Sequence, residues 1–265
     1  EAFAALVRRE GARLYRDLPW RNVDDAYAVL VSEVMLQQTQ VKRVLGRWER
    51  FLEKFPTPDA LAAASTSDVV GEWQGLGYNR RALALKRACE ICSQSYKGMF
   101  PDTVDELMAL PGIGPATAAG VVAFAYNKPA MYLETNVRTV FLHELFPGAE
   151  GVPDREIEPL VRATCPKVNP RAWYYALLDY GAHLKATFGN ASRRSAHYTR
   201  QSAFEGSRRQ KRAEIVRLVL ASAEGISLVD AHKLLNDFEG KHGRDAVGDE
   251  LFASIVGDLE REGFF

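Results

Sequence analysis

Apolar residues recur along this chain at the three- and four-residue spacing of helices, and the strict alternation of strands hardly appears. The clearest example is the segment 23–36, where Asn22 is placed to cap a helix, with Asp25 three residues on. The same periodicity predicts helices at 39–54, 58–64, 67–73, 79–96, 103–109, 115–126, 134–146, 154–163 and 170–185. We therefore expect an all-α fold.

The composition of the chain changes after about residue 190. A chain of 265 residues with 47% hydrophobic content can form one or two lobes. The stretch 191–208 is rich in Ser and Arg, which predicts a basic linker. Beyond it, helices are expected near 209–223, 227–237 and 247–262. We expect a core over 1–190 and a small helical or winged-helix module over 209–265, which either binds DNA or only docks on the core.

The charge of the whole chain is balanced, with 34 basic and 34 acidic residues, so that net charge neither supports nor excludes a polyanionic partner. Two segments are locally basic: 78–87 has four basic residues and no acid, and 193–217 is rich in Arg. Such segments can follow the phosphates of a nucleic acid, but a solvated helix face explains either of them equally well.

Three cysteines are too few for a disulfide framework or a four-thiolate cluster. Cys89 and Cys92 lie within a predicted helix, where thiols at this spacing usually only pack. No stretch approaches 18 consecutive apolar residues, and the amphipathic N-terminal segment carries charges. We expect a soluble intracellular protein that does not enter a membrane.

The segment 110–114, LPGIG, lies between two predicted helices and forms a hairpin with two glycines. Such a turn, followed at once by a helix, presents backbone N–H groups without side-chain obstruction, and this arrangement suits a phosphate. Glycine-rich turns between helices are common, so the hairpin alone indicates little about function.

Five further segments occur in the order found in one family: LPWR at 18–21, VSEVMLQQTQV at 31–41, WQGLGYNRRA at 73–82, NVRTV at 136–140 and LLDYGA at 177–182. Together with the hairpin, they make residues 5–190 resemble the helix-hairpin-helix DNA glycosylases related to endonuclease III, and most closely the adenine glycosylases that act on A opposite 8-oxoguanine or G. The resemblance implies two lobes, a six-helix barrel over about 22–135 and a second lobe from the N-terminal helix and about 136–190.

A base within a duplex must be flipped out before it can be excised, and its glycosidic bond breaks when the base is protonated and the sugar cation is stabilised. Glu33 lies on an otherwise apolar helix, which should raise its pKa and suit a general acid. The resemblance gives Glu33 that role and assigns Glu134 and Asn136 to the catalytic set. The family carries an Asp where this chain has Glu134, and the extra methylene displaces the carboxylate by about 1.5 Å.

The resemblance also implies a base pocket and a DNA-binding surface. The pocket candidates are Arg16, Trp20, Arg21 and Asp179, each of which can instead be structural. Gln38 matches the family's wedge and Tyr78 its inserting aromatic residue. The full set predicted to bind DNA is Gln38, Tyr78, Arg80, Arg81, Gly112, Ile113, Gly114, Ala116, Thr117 and Arg194.

Three departures from the family bear on activity. The bifunctional lyases of the superfamily carry a Lys where this chain has Ala116, which predicts a monofunctional enzyme. The loop after LLDYGA has no cysteine, so no iron–sulfur cluster is expected, no other metal is assigned, and the only cation considered is a monovalent one at the hairpin. The remaining C-terminal residues are too few for the α/β domain with which many relatives read 8-oxoguanine.

These observations leave three functions open. The first is excision of adenine opposite 8-oxoguanine or G, and the second is the same chemistry on uracil, thymine, hypoxanthine or a modified base. The third is a non-catalytic protein that only binds lesions. In each case we expect a monomer that binds double-stranded DNA with a mispaired or damaged base, in the cytoplasm with the nucleoid.

Overall fold

The computed structural model describes residues 1–200, 203–222 and 225–264, and these contain helices but no strand. None of the helices there has the length and hydrophobicity needed to cross a bilayer. The all-α prediction is confirmed. The helices are α1 Ala2–Arg13, α2 Ala26–Leu36, α3 Val41–Val44, α4 Arg47–Lys54, α5 Pro58–Ala63, α6 Thr66–Glu72, α7 Arg80–Ser95, α8 Val104–Met108, α9 Pro115–Phe124, α10 Thr135–Leu145, α11 Asp154–Thr164, α12 Pro170–Phe188, α13 Arg208–Ala221, α14 Leu228–Lys241 and α15 Asp249–Arg261, with a 3-10 turn at Ala191–Arg194.

Two local predictions were wrong. The helix expected over 39–54 is divided into α3 and α4, because Gly46 adopts a left-handed conformation with φ of 73°. The cap of α2 is Asp25, whose carboxylate accepts from the backbone amides of Tyr27 and Ala28. Asn22 lies outside the helix with φ of 59°. A carboxylate next to the first turn satisfies amides that Asn22 is too far away to reach.

α2 and α9 pack together at the centre of the fold. Nearly every residue of α2 from Tyr27 to Met35 is buried, as its continuous apolar sequence predicts. α9 contributes small residues, so the two helices approach closely. At Gly120 a Cβ would overlap the carboxyl group of Glu33. The absence of a side chain at Gly120 therefore provides the space in which the acidic side chain of α2 lies.

α12 packs against both α1 and α10. Close approach depends on two glycines, because a Cβ at Gly181 would overlap the backbone of Asn136 and one at Gly11 would overlap Ala176. These contacts fix the start of α10 against α12, and the N-terminal segment against the same helix. The side chains of three elements distant in sequence are thereby brought to one region.

The last three helices have a hydrophobic core of their own, centred on residues such as Leu235, Ile255 and Leu259. This core includes Val70 of α6 and Leu83 of α7, through which it rests on the preceding helices. The described part of this segment is helical and contains no strand, which favours a helical module over a winged helix. The division at 190 and 208 and the two-lobed division of the core stay predictions.

The two cysteines predicted to pack in mid-helix, Cys89 and Cys92, are free thiols buried in α7. Burial raises the pKa of both thiols, and that of Cys92 to about 11. Among residues 1–200, 203–222 and 225–264, no group of three His, Cys, Asp or Glu side chains could hold a metal ion.

Candidate active site

A large cavity of about 940 Å³ is lined by residues of α2, α9, α10 and α12 and by the segment before α2. Many of the predicted site residues line it, although they are far apart in sequence. They are Arg16, Trp20, Arg21, Glu33, Gln38, Ala116, Thr117, Glu134 and Asn136. A concavity of this size can hold a nucleobase together with part of its sugar.

Glu33 is the acidic residue that α2 places in this cavity. Burial, and after it the negative charge of Glu134, raise the pKa of its carboxyl group, a hydrogen bond from Tyr132 lowers it, and the net result is a pKa of about 8. The Tyr132 hydroxyl donates to Glu33 Oε2 at 3.3 Å. A carboxyl group with this pKa is protonated at neutral pH and can donate its proton to a leaving group.

Glu134 is the N-cap of α10, and its carboxylate is held at the start of that helix. Oε1 accepts from the backbone amides of Asn136 at 2.6 Å and Val137 at 2.9 Å, and Oε2 accepts from Asn136 Nδ2 at 3.3 Å. Burial raises the pKa of Glu134, while these amides and the charges of Lys185 and Arg138 lower it. Among the residues that the structure describes, Glu33 has no such backbone donors or cationic neighbours, so the surroundings favour the negative charge of the pair on Glu134 rather than on Glu33.

Asp179 is buried behind the cavity rather than facing it. Arg21 donates to both of its oxygens at 2.7 Å, and Arg16 Nε donates to Oδ1 at 2.5 Å. The guanidinium of Arg21 also lies 4.5 Å from the ring centre of Tyr175. Of the predicted base pocket, Asp179 therefore orients the two arginines, and these arginines line the cavity themselves.

The two residues predicted to insert into DNA lie on turns with unusual backbone geometry. Gln38 follows α2 and is exposed, with φ of 53°, and Tyr78 precedes α7, with φ of 51° and a side chain 37% exposed. Left-handed geometry in a residue other than glycine costs on the order of 1–3 kcal/mol and occurs often at functional sites. Both turns are thus held in strained conformations that present these side chains.

Arg81 connects these two turns through its guanidinium, and its predicted contact with DNA stays a prediction. Its guanidinium donates to the carbonyls of Val34 at 2.6 Å, Gln37 at 2.7 Å and Gly77 at 2.9 Å, and also to those of Met35 and Leu76. Burial lowers its pKa to about 10. The guanidinium is engaged by the protein, whereas neighbouring Arg80 has a side chain that is 69% exposed.

The residues of the hairpin differ in what they can offer a ligand. Gly112 has φ of 74°, and a Cβ there would lie 2.6 Å from that of Ala84, so the turn requires glycine. Ile113 is buried in the core and only its backbone can face a ligand. Gly114 caps α9, which begins with Pro115, and Thr117 one turn later accepts a hydrogen bond from Gln37 at 2.9 Å.

Arg194 is also bound within the protein, and its predicted contact with DNA stays a prediction. Its guanidinium donates to the carbonyls of Leu142 at 2.6 Å and Phe146 at 2.9 Å, where it satisfies the C-terminal end of α10. The nearby basic residues Arg208, Lys211 and Arg212 form ion pairs with acidic residues of α14, α15 and the C-terminal segment. Much of the basic character of 193–217 is therefore used within the protein.

Among the cavity residues that were not predicted from the sequence are Tyr132, Tyr175 and Lys185. Tyr132 lies two positions before Glu134 in an extended segment, and residues at that spacing share a face. Tyr175 and Lys185 share one face of α12 with Leu178 and Ala182, all of which line the cavity. Helical spacing from the LLDYGA segment could therefore have identified them.

Comparison with known proteins places this geometry in context. The family model described as HhH-GPD superfamily base excision DNA repair protein matches residues 31–164. An adenine DNA glycosylase of Mycobacterium tuberculosis (strain CDC 1551 / Oshkosh) is 38% identical over 179 residues, which cover 64% of this chain and 57% of that protein. An adenine DNA glycosylase of Mycolicibacterium smegmatis is 39% identical over 170 residues, which cover 63% of this chain and 58% of that protein. The chain thus spans less than two thirds of the length of these relatives.

Solved structures share the fold. The structure of a thermostable thymine-DNA glycosylase aligns with a TM-score of 0.61 at 23% identity, covering 68% of this chain and 85% of that one. A non-covalent endonuclease III–DNA complex aligns with a TM-score of 0.58 at 24% identity, covering 69% and 86%. At this identity the likeness shows a common helical architecture.

Proposed function

Because the chain belongs to the HhH-GPD superfamily of base excision DNA repair proteins, we propose that it is a DNA glycosylase that flips a base from duplex DNA and hydrolyses its N-glycosidic bond. Its first candidate substrate is adenine mispaired with 8-oxoguanine or G, as the names of its relatives indicate. In this proposal it acts as a monomer on double-stranded DNA in the cytoplasm, associated with the nucleoid.

The observation that carries this proposal is the pair of carboxyl groups, Glu33 and Glu134, that line one cavity with different hydrogen-bond partners. Glu33, whose pKa is raised to about 8, donates its proton to the departing base as the bond from C1′ to the base nitrogen breaks. Ionised Glu134 stabilises the positive charge that develops on the sugar. Water then adds its oxygen to C1′ and returns a proton to the Glu33 carboxylate, which restores the acid.

Flipping requires that the vacated space in the duplex be filled. Gln38 and Tyr78 lie on the two turns fixed by Arg81, and in this proposal they enter the duplex from these turns. Arg81 holds both turns by their backbone carbonyls, so the backbones from which the two side chains project are tied to each other. The backbone amides at the start of α9 bind a phosphate of the same strand, with a monovalent cation at the hairpin as an additional candidate.

We also propose that the enzyme is monofunctional and leaves an abasic site. This rests on Ala116, which lines the cavity at the start of α9 and has no amine to attack the sugar. The only lysine among the residues described as lining the cavity is Lys185, and its Nζ donates to Asn136 Oδ1 at 3.3 Å. Borohydride trapping of a protein–DNA adduct in wild type, lost in Lys185→Gln, would contradict the proposal.

The region after α12 does not fit the iron–sulfur cluster of related glycosylases. It contains no cysteine, and its ordered turn is held by hydrogen bonds instead: Asn190 Oδ1 accepts from the Ser192 backbone at 3.1 Å and from its hydroxyl at 2.6 Å. Arg194 binds the end of α10 from the same turn. We therefore propose an enzyme without this cluster, in which these contacts connect α10 to α12.

A second candidate is the same reaction on another base, such as uracil, thymine, hypoxanthine or a modified base. It is favoured by Ala116, Glu134 and Thr135, which line the cavity and differ from the residues expected there from the resemblance. Each of these changes alters the shape or hydrogen bonding available to a flipped base. A protein that only binds lesions would not require a protonated Glu33 beside an ionised Glu134.

Single-turnover base release from a panel of duplexes tests these alternatives. The panel contains A, uracil, thymine, hypoxanthine and oxidised or alkylated bases opposite each partner, with alkali to reveal abasic sites. Release of A opposite 8-oxoguanine or G, abolished in Glu33→Gln and retained in the exposed control Glu53→Gln, supports the first proposal. Release of another base supports the second candidate, and specific binding without any release would overturn both.

A further inference from the structure

The hydroxyl of Tyr132 reaches the proposed general acid from the segment that connects α9 to α10. It donates to Glu33 Oε2 at 3.3 Å, and both side chains line the cavity. This is a long hydrogen bond, as is common for catalytic groups before the substrate is bound. The two residues are far apart in the sequence, and the packing of α2 against α9 brings them together.

The ring of Tyr132 has little freedom to move. It packs edge-on against Phe124 with centroids 5.2 Å apart and against Tyr174 with centroids 5.3 Å apart. The Tyr174 hydroxyl accepts from the backbone amide of Tyr132 at 3.3 Å. A Cβ at Gly120 would lie 3.1 Å from the ring and would overlap the Glu33 carboxyl group. The hydroxyl is thus held in place before any substrate enters.

Resting on the proposed function, we propose that Tyr132 is a positioning residue for Glu33, which directs the transferable proton to Oε1 and stabilises the carboxylate left after the transfer. A hydrogen bond donated to Oε2 makes that oxygen the acceptor of the carboxyl group, so the acidic proton resides on Oε1. When the proton passes to the base, the negative charge that appears on Glu33 is stabilised by the hydrogen bond that the Tyr132 hydroxyl already donates.

The charged and titratable groups around Glu33 define what a pH titration reports. Glu134 and Tyr132 act on Glu33 directly, and the burial of Tyr132 raises the pKa of its own hydroxyl, so it stays protonated. Tyr175 also faces Glu33, and burial raises its pKa to about 12. Lys185 lowers the pKa of Glu134 and acts on the pair through it. The two tyrosine hydroxyls therefore stay protonated while Glu33 titrates, and Glu134 is the neighbouring carboxyl group whose charge acts on it directly.

The decisive variant is Tyr132→Phe, which removes one oxygen and keeps the ring. Its matched control is Tyr126→Phe, because the Tyr126 hydroxyl donates to the Phe100 carbonyl at 2.5 Å and does not line the cavity. The titration of Glu33 is followed by NMR of protein carrying ¹³C-labelled glutamate carboxyl groups, and the resonance is identified by its loss in Glu33→Gln. This measurement requires no substrate and no activity.

We expect the Glu33 midpoint to rise by about one pH unit in Tyr132→Phe and to stay unchanged in Tyr126→Phe. Single-turnover base release at pH 7 should fall roughly tenfold or more, and its alkaline limb should move upward with the midpoint. An unchanged midpoint in Tyr132→Phe overturns the inference, and so does a raised midpoint with unchanged base release at every pH. Absence of base release in wild type would instead count against the proposed function.

Discussion

Replacing Glu33 by Gln should stabilise the fold, and the gain should depend on pH in a defined direction. The folded protein keeps Glu33 protonated up to about pH 8, whereas an unfolded chain releases this proton near 4.5. The folded state therefore binds one more proton between these values, and its stability decreases as the pH rises through them. Gln has no proton to release, so the variant avoids this loss.

The size of the effect follows from the pKa difference. Each unit corresponds to about 1.4 kcal/mol, so Glu33 costs at most about 5 kcal/mol of unfolding free energy at pH 8 and above, relative to pH 4.5. At pH 5, protonated Glu33 and Gln should be nearly equivalent. The free-energy difference between variant and wild type should then increase toward pH 8 and level off beyond it, and a cost of this size is a large part of the stability of a typical protein.

Urea unfolding of wild type and Glu33→Gln at pH 5, 6, 7, 8 and 9 measures this difference. Glu53→Gln serves as the control, because Glu53 is exposed on α4 and its replacement should give a small difference that does not grow with pH. A difference for Glu33→Gln that stays flat from pH 5 to 9 would refute the argument. It would mean that Glu33 is ionised in the folded protein at neutral pH and cannot act as the proposed acid.

Three further substitutions test the positions of the site residues. Arg81→Met should lower the unfolding free energy by about 3 kcal/mol, because it leaves several carbonyls of two turns without a donor, while Arg80→Met should change it by less than about 0.5 kcal/mol in the same urea titrations. Asp179→Asn should cost about 3–5 kcal/mol, since it leaves the buried guanidinium of Arg21 without a counter-ion, and an unchanged urea midpoint would contradict this. Glu134→Asp should retain the helix cap and change stability by less than about 1 kcal/mol, but it draws the carboxylate back by about 1.5 Å, and single-turnover base release should fall about 100-fold.

The helical architecture could be predicted because the apolar periodicity and the capping residues act locally. The position of Glu33 was predictable for the same reason: a carboxylate within an otherwise apolar helix must lie among buried neighbours wherever that helix packs. The break at Gly46 was missed because a single glycine is compatible with a continuous helix. The helix is interrupted because Gly46 adopts a left-handed conformation, which the sequence does not specify.

The roles of the basic residues could not be predicted from local sequence. Arg81 binds carbonyls of a turn that lies some forty residues earlier in the chain, and Arg212 pairs with Glu262, 50 residues later. Both arrangements depend on tertiary packing that no short segment encodes. A local excess of Arg looks the same in the sequence whether its partners are phosphates or distant carboxylates. The sequence alone therefore could not distinguish a phosphate-binding surface from a set of internal ion pairs.

The two carboxyl groups of the cavity differ in what surrounds them, and this difference explains how one can be an acid and the other an anion. Glu33 is surrounded by the apolar contacts of α2 and receives one hydrogen bond from Tyr132. Glu134 accepts hydrogen bonds from two backbone amides at a helix N-terminus and is near the positive charges of Lys185 and Arg138. Opposite environments separate the proton affinities of neighbouring carboxyl groups and thereby assign their roles. Because the start of α10 supplies these amides, the carboxylate at position 134 is held there by the backbone of the helix.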